Sequence, residues 1–211
     1  MKFNFKICAY LLVLVGSASA FSDDSVDFFR AVNVDNARTV SALLARGFDA
    51  NSLDEKGQGA LYLALRSESP KVLAALLAHP GIHVDAANKA NETPLMMAAL
   101  RGDVLAAEQL LARGGQVNRA GWTPLHYAAS GPEPRLVALL LDRGALIEAP
   151  SPNRTTPLMM AARYGTQDSA LVLLQRGADP RIKNDAGLHA ADFARQAGRE
   201  PLALQLERAA R

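Results

Sequence analysis

The apolar positions of this chain fall into two short patterns that alternate along it. In the first, a leucine is followed three and four residues later by alanines, as at Leu125, Ala128 and Ala129. That spacing puts all three on one face of a helix. In the second, a leucine pair leads through one residue to arginine and glycine: Leu43-Leu44-Ala45-Arg46-Gly47, Leu110-Leu111-Ala112-Arg113-Gly114, Leu140-Leu141-Asp142-Arg143-Gly144 and Leu173-Leu174-Gln175-Arg176-Gly177. An arginine suits the negative end of a helix, and glycine can take the left-handed conformation that stops it. The alternation predicts units of helix, turn, helix and loop.

The first pattern has a marked start. Residues 121–129 read G-W-T-P-L-H-Y-A-A, and T-P-L-M-M-A-A occurs at Thr93 to Ala99 and again at Thr156 to Ala162. A threonine oxygen can accept from an amide one turn into the helix, and proline at the first helical position lacks an amide that would be orphaned there. The first alanine of the pattern falls at Ala31, Ala64, Ala98, Ala128, Ala161 and Ala194, and most of these steps are 33 residues. This is a repeat period.

The T-P-L-H-x-A motif at Thr123 to Ala128, its copies and the L-L-x-R-G ends resemble the ankyrin repeat, over nearly all of residues 22–211. The resemblance implies an all-α solenoid of about six stacked helix-turn-helix units with hairpin or loop tips, and a concave face that binds protein. The expected units are a capping unit over 22–55, internal units over 56–89, 90–119, 120–152 and 153–184, and a C-terminal capping unit over 185–211. The step from Ala98 to Ala128 is only 30 residues, which predicts a clipped link over Val117 to Trp122. Leu206-Glu207 replaces the internal leucine pair, a charge expected to close the stack rather than face another repeat.

Residues 1–20 carry a different pattern. Lys2 and Lys6 precede an apolar run over Ile7 to Val15, and Ala18-Ser19-Ala20 is a small-residue cleavage signal. A signal peptide cut between Ala20 and Phe21 is expected, so the protein is exported, to the periplasm if bacterial. Its removal takes away two lysines and lowers the formal charge from +2 to zero. A balanced charge supplies no electrostatic case for nucleic acid or an anionic membrane. Cys8, the sole cysteine, lies in that segment, so the mature domain has no disulfide framework and no thiol nucleophile.

Candidate chemistry is sparse. His79 and His83 have the spacing of a metal pair, but Pro80-Gly81 breaks the helix that would align them. His126 sits in the repeat's own histidine position, where Met96 and Met159 also occur, which points to a structural hydrogen bond. His189 near Asp185 and Asp192 has no paired nucleophile in sequence. No catalytic residue, cofactor or metal site is assigned, and the expected protein is a monomer without enzymatic activity.

The residue preceding the Thr-Pro position varies within a constant frame, as a recognition surface does: Gln58, Glu92, Trp122, Thr155 and Leu188. Trp122 either packs on a neighbouring hairpin or anchors a partner. Arg66, Leu100, Arg101, Arg163 and Tyr164, just past the alanines, and Arg154 on a proline-stiffened tip complete the candidate set. The expectation is an adaptor or scaffold of the cell envelope that binds another protein. An alternative is an immunity or protective factor that masks a toxin or shields an envelope enzyme, for instance under oxidative stress.

Overall fold

A computed structural model describes residues 23–211. The expected signal segment and its Ala20–Phe21 junction lie outside the described residues. Every regular element among them is a helix, with one isolated antiparallel bridge between Leu53 and Gly59. The chain forms two compact units, one reaching Ile82 and one over His83–Arg211.

The first unit holds α1 (23–33), α2 (Ala37–Ala45), α3 (Ala60–Arg66) and α4 (Pro70–Ala78). Its first repeat lacks Thr-Pro-Leu and relies on aromatic rings. Phe28 is fully buried, 5.3 Å from the Phe29 ring and 4.5 Å from the Phe48 ring. Asp35 Oδ1 accepts from the Val72 amide at 2.9 Å, tying the first turn to α4.

The second unit contains four helix pairs: α5 (Pro94–Arg101) with α6 (Val104–Ala112), α7 (Pro124–Ser130) with α8 (Pro134–Asp142), α9 (Pro157–Arg163) with α10 (Gln167–Gln175), and α11 (Ala190–Gln196) with α12 (Glu200–Ala209). The leading helices α5, α7, α9 and α11 pack one on the next, and α6, α8 and α10 form a second layer behind them. Leu110, Leu140 and Leu173 are fully buried in this arrangement. Each contributes about 1.5–3 kcal/mol relative to an exposed leucine.

The predicted starts and stops are present. Thr93 and Thr156 accept from the amides of Met96 and Met159 through their hydroxyl oxygens, with proline next in both helices. At the other end Gly114, Gly144 and Gly177 have φ of +89°, +83° and +95°. The link between the α6 and α7 pairs runs over 113–123, three residues shorter than those over 143–156 and 176–189.

Two glycines serve a different purpose. A Cβ on Gly165 would stand 1.9 Å from the Ala129 carbonyl oxygen, and one on Gly131 would stand 2.7 Å from that of Ala99. Both have side-chain-free surfaces because the preceding repeat's backbone occupies that space. Together with the fully buried Ala98, Ala128, Ala129, Ala161 and Ala162, they set how closely the leading helices approach.

The tips are joined by hydrogen bonds that no periodicity announces. Asp85 Oδ1 takes the Gln116 amide at 2.9 Å, and Asn118 bonds both the Gly144 carbonyl at 2.8 Å and the Leu146 amide at 2.9 Å. Glu148 Oε1 takes the Asp179 amide at 2.6 Å. Burial raises the Glu148 carboxyl pKa above its ordinary value, with the Asp179 amide opposing it.

Candidate functional site

The short 113–123 link delivers Trp122 directly onto α7. Its ring meets His126 edge-on, with centroids 5.1 Å apart. His126 is fully buried, and each ring nitrogen has a defined task. Nδ1 accepts the Thr123 backbone amide at 3.2 Å and lies 2.9 Å from the Thr123 hydroxyl. An acceptor Nδ1 leaves the proton on Nε2, which lies 3.0 Å from the Thr155 carbonyl oxygen in the next repeat and donates to it. Desolvation lowers the His126 pKa to about 4, against the opposing carbonyl groups of Thr155 and Ala149. The ring is therefore neutral at physiological pH, a fixed structural group.

The sister repeats fill the same slot differently. Met96 and Met159 place sulfur 3.4 Å from the Thr93 and Thr156 amides, and Asp192 Oδ2 takes the His189 amide at 2.9 Å. His189 Nδ1 also lies 2.9 Å from that oxygen, so the His189–Asp192 pair is the start of α11. Among the described residues no group of three or more His, Cys, Asp or Glu could hold a metal ion.

In front of α7 and α9 is a pocket of about 360 Å³ lined by Leu100, Trp122, His126, Tyr127, Ser130, Met160 and Tyr164. A second, of about 440 Å³, shares Trp122, Met160 and Tyr164 and extends past Arg163 to Leu188, Phe193 and Gln196 on and before α11. Together they form one groove within the second unit. Tyr164 is 60% exposed and Leu100 37%. The Arg163 guanidinium lies 5.3 Å from the Tyr164 ring centroid and 6.0 Å from that of Phe193.

Of the residues singled out from sequence, Leu100, Trp122, Thr155, Arg163, Tyr164 and Leu188 line this groove. Thr155 lines the second pocket yet is only 2% exposed, its amide bonded to Ser151 Oγ at 2.9 Å and its carbonyl to His126. Glu92 is turned inward, with Oε1 accepting from the Tyr127 hydroxyl and Oε2 from Asn88 Nδ2, both at 2.9 Å. Arg101 is exposed at the end of α5, and Arg154 is exposed on its tip with φ +59°. Gln58 and Arg66 belong to the first unit, where Arg66 donates to Gln58 Oε1 at 2.8 Å.

The large lining side chains Tyr127, Met160 and Phe193 were not singled out. Tyr127 and Met160 directly precede the alanine pair, and Phe193 precedes Ala194 in the same register. A large side chain repeating there was the available signal. Arg199 was also missed; its NH1 caps the end of α9 through the carbonyls of Ala161, Ala162 and Gly165 at 3.0, 3.0 and 2.9 Å.

The groove is thus lined by rings and apolar side chains, with Arg163 as its charged group. The chain belongs to the ankyrin-repeat family, whose three-copy repeat model matches residues 28–120 and 95–184. It is 32% identical over 161 residues to the chicken nuclear factor NF-kappa-B p105 subunit, covering 73% of this chain and 16% of that protein. To the human transient receptor potential cation channel subfamily A member 1 it is 30% identical over 168 residues, covering 76% and 15%. The chain thus spans about a sixth of the length of these relatives. Among solved structures, a chain from the complex of a predatory endopeptidase of Bdellovibrio bacteriovorus with an immunity protein matches with a TM-score of 0.74 and 26% identity, covering 86% of this chain and 97% of that one. No helix among the described residues is long and apolar enough to cross a membrane.

Proposed function

We propose that this protein is a non-catalytic binding module of the cell envelope that recognises a partner protein through the groove in front of α7, α9 and α11. The observation that carries this reading is the convergence of Leu100, Trp122, Tyr127, Met160 and Tyr164 on one groove while the only buried histidine there is neutral and engaged on both nitrogens. Aromatic side chains that are partly exposed around a pocket are the usual anchors of protein recognition. Export rests on the pattern of residues 1–20, and recovery of an envelope protein beginning at Phe21 tests it by mass spectrometry. For the groove, affinity capture from the envelope with the native chain and with Trp122→Ala/Tyr164→Ala is the test. The partner is expected to be lost with the double variant; equal recovery removes the groove from this role.

A second reading concerns the biological output. The match to the chain from the endopeptidase–immunity protein complex covers nearly all of both chains, unlike the matches to the much longer relatives. That favours an immunity factor, in which binding restrains an enzyme or toxin of the envelope. A deletion strain is expected to lose survival when challenged with the cognate toxin or with peroxide, and unchanged survival under both removes this reading.

A further inference from the structure

Resting on the groove reading above, we propose that the groove receives an extended segment of its partner carrying a large apolar side chain flanked by aspartate or glutamate. The argument is one of shape and charge complementarity. The shared wall formed by Trp122, Met160 and Tyr164 is apolar, and its first pocket falls within the size range of about 300–1,000 Å³ typical of ligand sites. No carboxylate lines either pocket, and the one charged lining residue is Arg163.

Arg163 is held ready rather than neutralised. Its NH1 donates to Gln196 Oε1 at 2.7 Å, a neutral acceptor, and its plane lies near the rings of Tyr164 and Phe193. A guanidinium positioned by ring faces and one amide oxygen keeps its full charge and further N–H groups, and less side-chain freedom is lost when a carboxylate arrives. The bond so formed is charge-assisted. Glu92 lines neither pocket, but its carboxylate keeps its charge while accepting from Tyr127 and Asn88, so an acid is favoured at the Arg163 end of the groove and not beside Tyr127. A nucleic acid would need a basic stripe, and a single lining arginine in a chain of formal charge +2 does not supply one.

The sole tryptophan of the chain stands in this groove, so its emission reports occupancy. A phage library of random linear peptides selected against the full chain, followed by titration of the enriched synthetic peptides, tests the proposal. Enriched peptides are expected to pair an aromatic or large aliphatic residue with Asp or Glu and to shift Trp122 emission. They are expected to bind about tenfold more weakly to Arg163→Gln, and about tenfold more weakly when their acids are replaced by lysine. Enrichment of neutral or basic peptides that shift Trp122 emission overturns the acidic preference and leaves the groove reading intact. Failure to enrich any peptide, or enrichment only of peptides that leave Trp122 emission unchanged, overturns the proposal; if affinity capture still depends on Trp122 and Tyr164, the groove reading survives that result.

Discussion

His126 Nε2 donates to the carbonyl oxygen of Thr155 across 29 residues of chain, at 3.0 Å, inside a fully buried site. This bond locks α7 to the start of α9, while the same ring's Nδ1 serves its own helix start through Thr123. The methionine repeats show what is gained, since Met96 and Met159 use sulfur to accept the local amide but have no donor to send to the next repeat.

The substitution His126→Met therefore preserves the local cap and removes the bond between repeats, together with the edge-on ring contact to Trp122. The buried Thr155 carbonyl keeps the Ser151 amide, 3.1 Å away, so no acceptor is stranded, and the loss of the bond between repeats is expected to destabilise the fold by about 0.5–1.5 kcal/mol in urea denaturation. Stability equal to that of the native chain would show that the bond contributes nothing.

The same ring sets an acid sensitivity. Its pKa is about 4 in the folded protein against an ordinary value of 6.5, so the unfolded chain binds the proton first as pH falls. The stability tied to the neutral ring is complete above about pH 6.5. It declines through the window to about pH 4, by an amount on the order of 3 kcal/mol. Urea midpoints across this window are expected to fall for the native chain and to lose this component in His126→Met; parallel curves for the two proteins would contradict the assignment.

Gly165→Ala is expected to be the most damaging single-carbon addition in the second unit. Its Cβ would meet the Ala129 oxygen at 1.9 Å, and backbone cannot rotate away as a side chain can. The expected cost is about 3 kcal/mol or more. Gly131→Ala, meeting Ala99 oxygen at 2.7 Å, is expected to be milder, and Gly177→Ala is expected to show only left-handed strain of about 1 kcal/mol, because nothing lies within 4 Å. Thermal melting should rank the three in that order.

Arg199→Gln removes the cation whose NH1 contacts three carbonyl oxygens at the end of α9. An expected loss of about 1.5–3 kcal/mol follows, since hydrogen bonds from a charged donor to partly buried acceptors are involved. Amide exchange should quicken most in α9, which distinguishes the loss of this cap from a general loosening of α12.

Much of this fold is written in local chemistry. Thr-Pro at three helix starts, glycine at the left-handed stops and leucine in the buried row are requirements that each short segment meets by itself, which is why a 33-residue period exposes them. The clipped 113–123 link was legible for the same reason, as a missing three residues. The groove was only half legible: Leu100, Trp122, Thr155, Arg163, Tyr164 and Leu188 stood out by position, whereas Tyr127, Met160 and Phe193 did not, because a large residue before the alanines reads as core until its neighbours are placed.

By itself the sequence determined the repeat, its helix pairs, its starts and stops, and the short list from which a binding face would come. Tertiary structure alone decided which members of that list share a groove, that His126 spends its second nitrogen on Thr155, that Arg199 caps α9, and that Gly131 and Gly165 exist for the neighbouring backbone. The physical reason is range: helix signals act within a few residues, whereas burial, carbonyl partners and the space left for a Cβ depend on the repeat packed about 30 residues away.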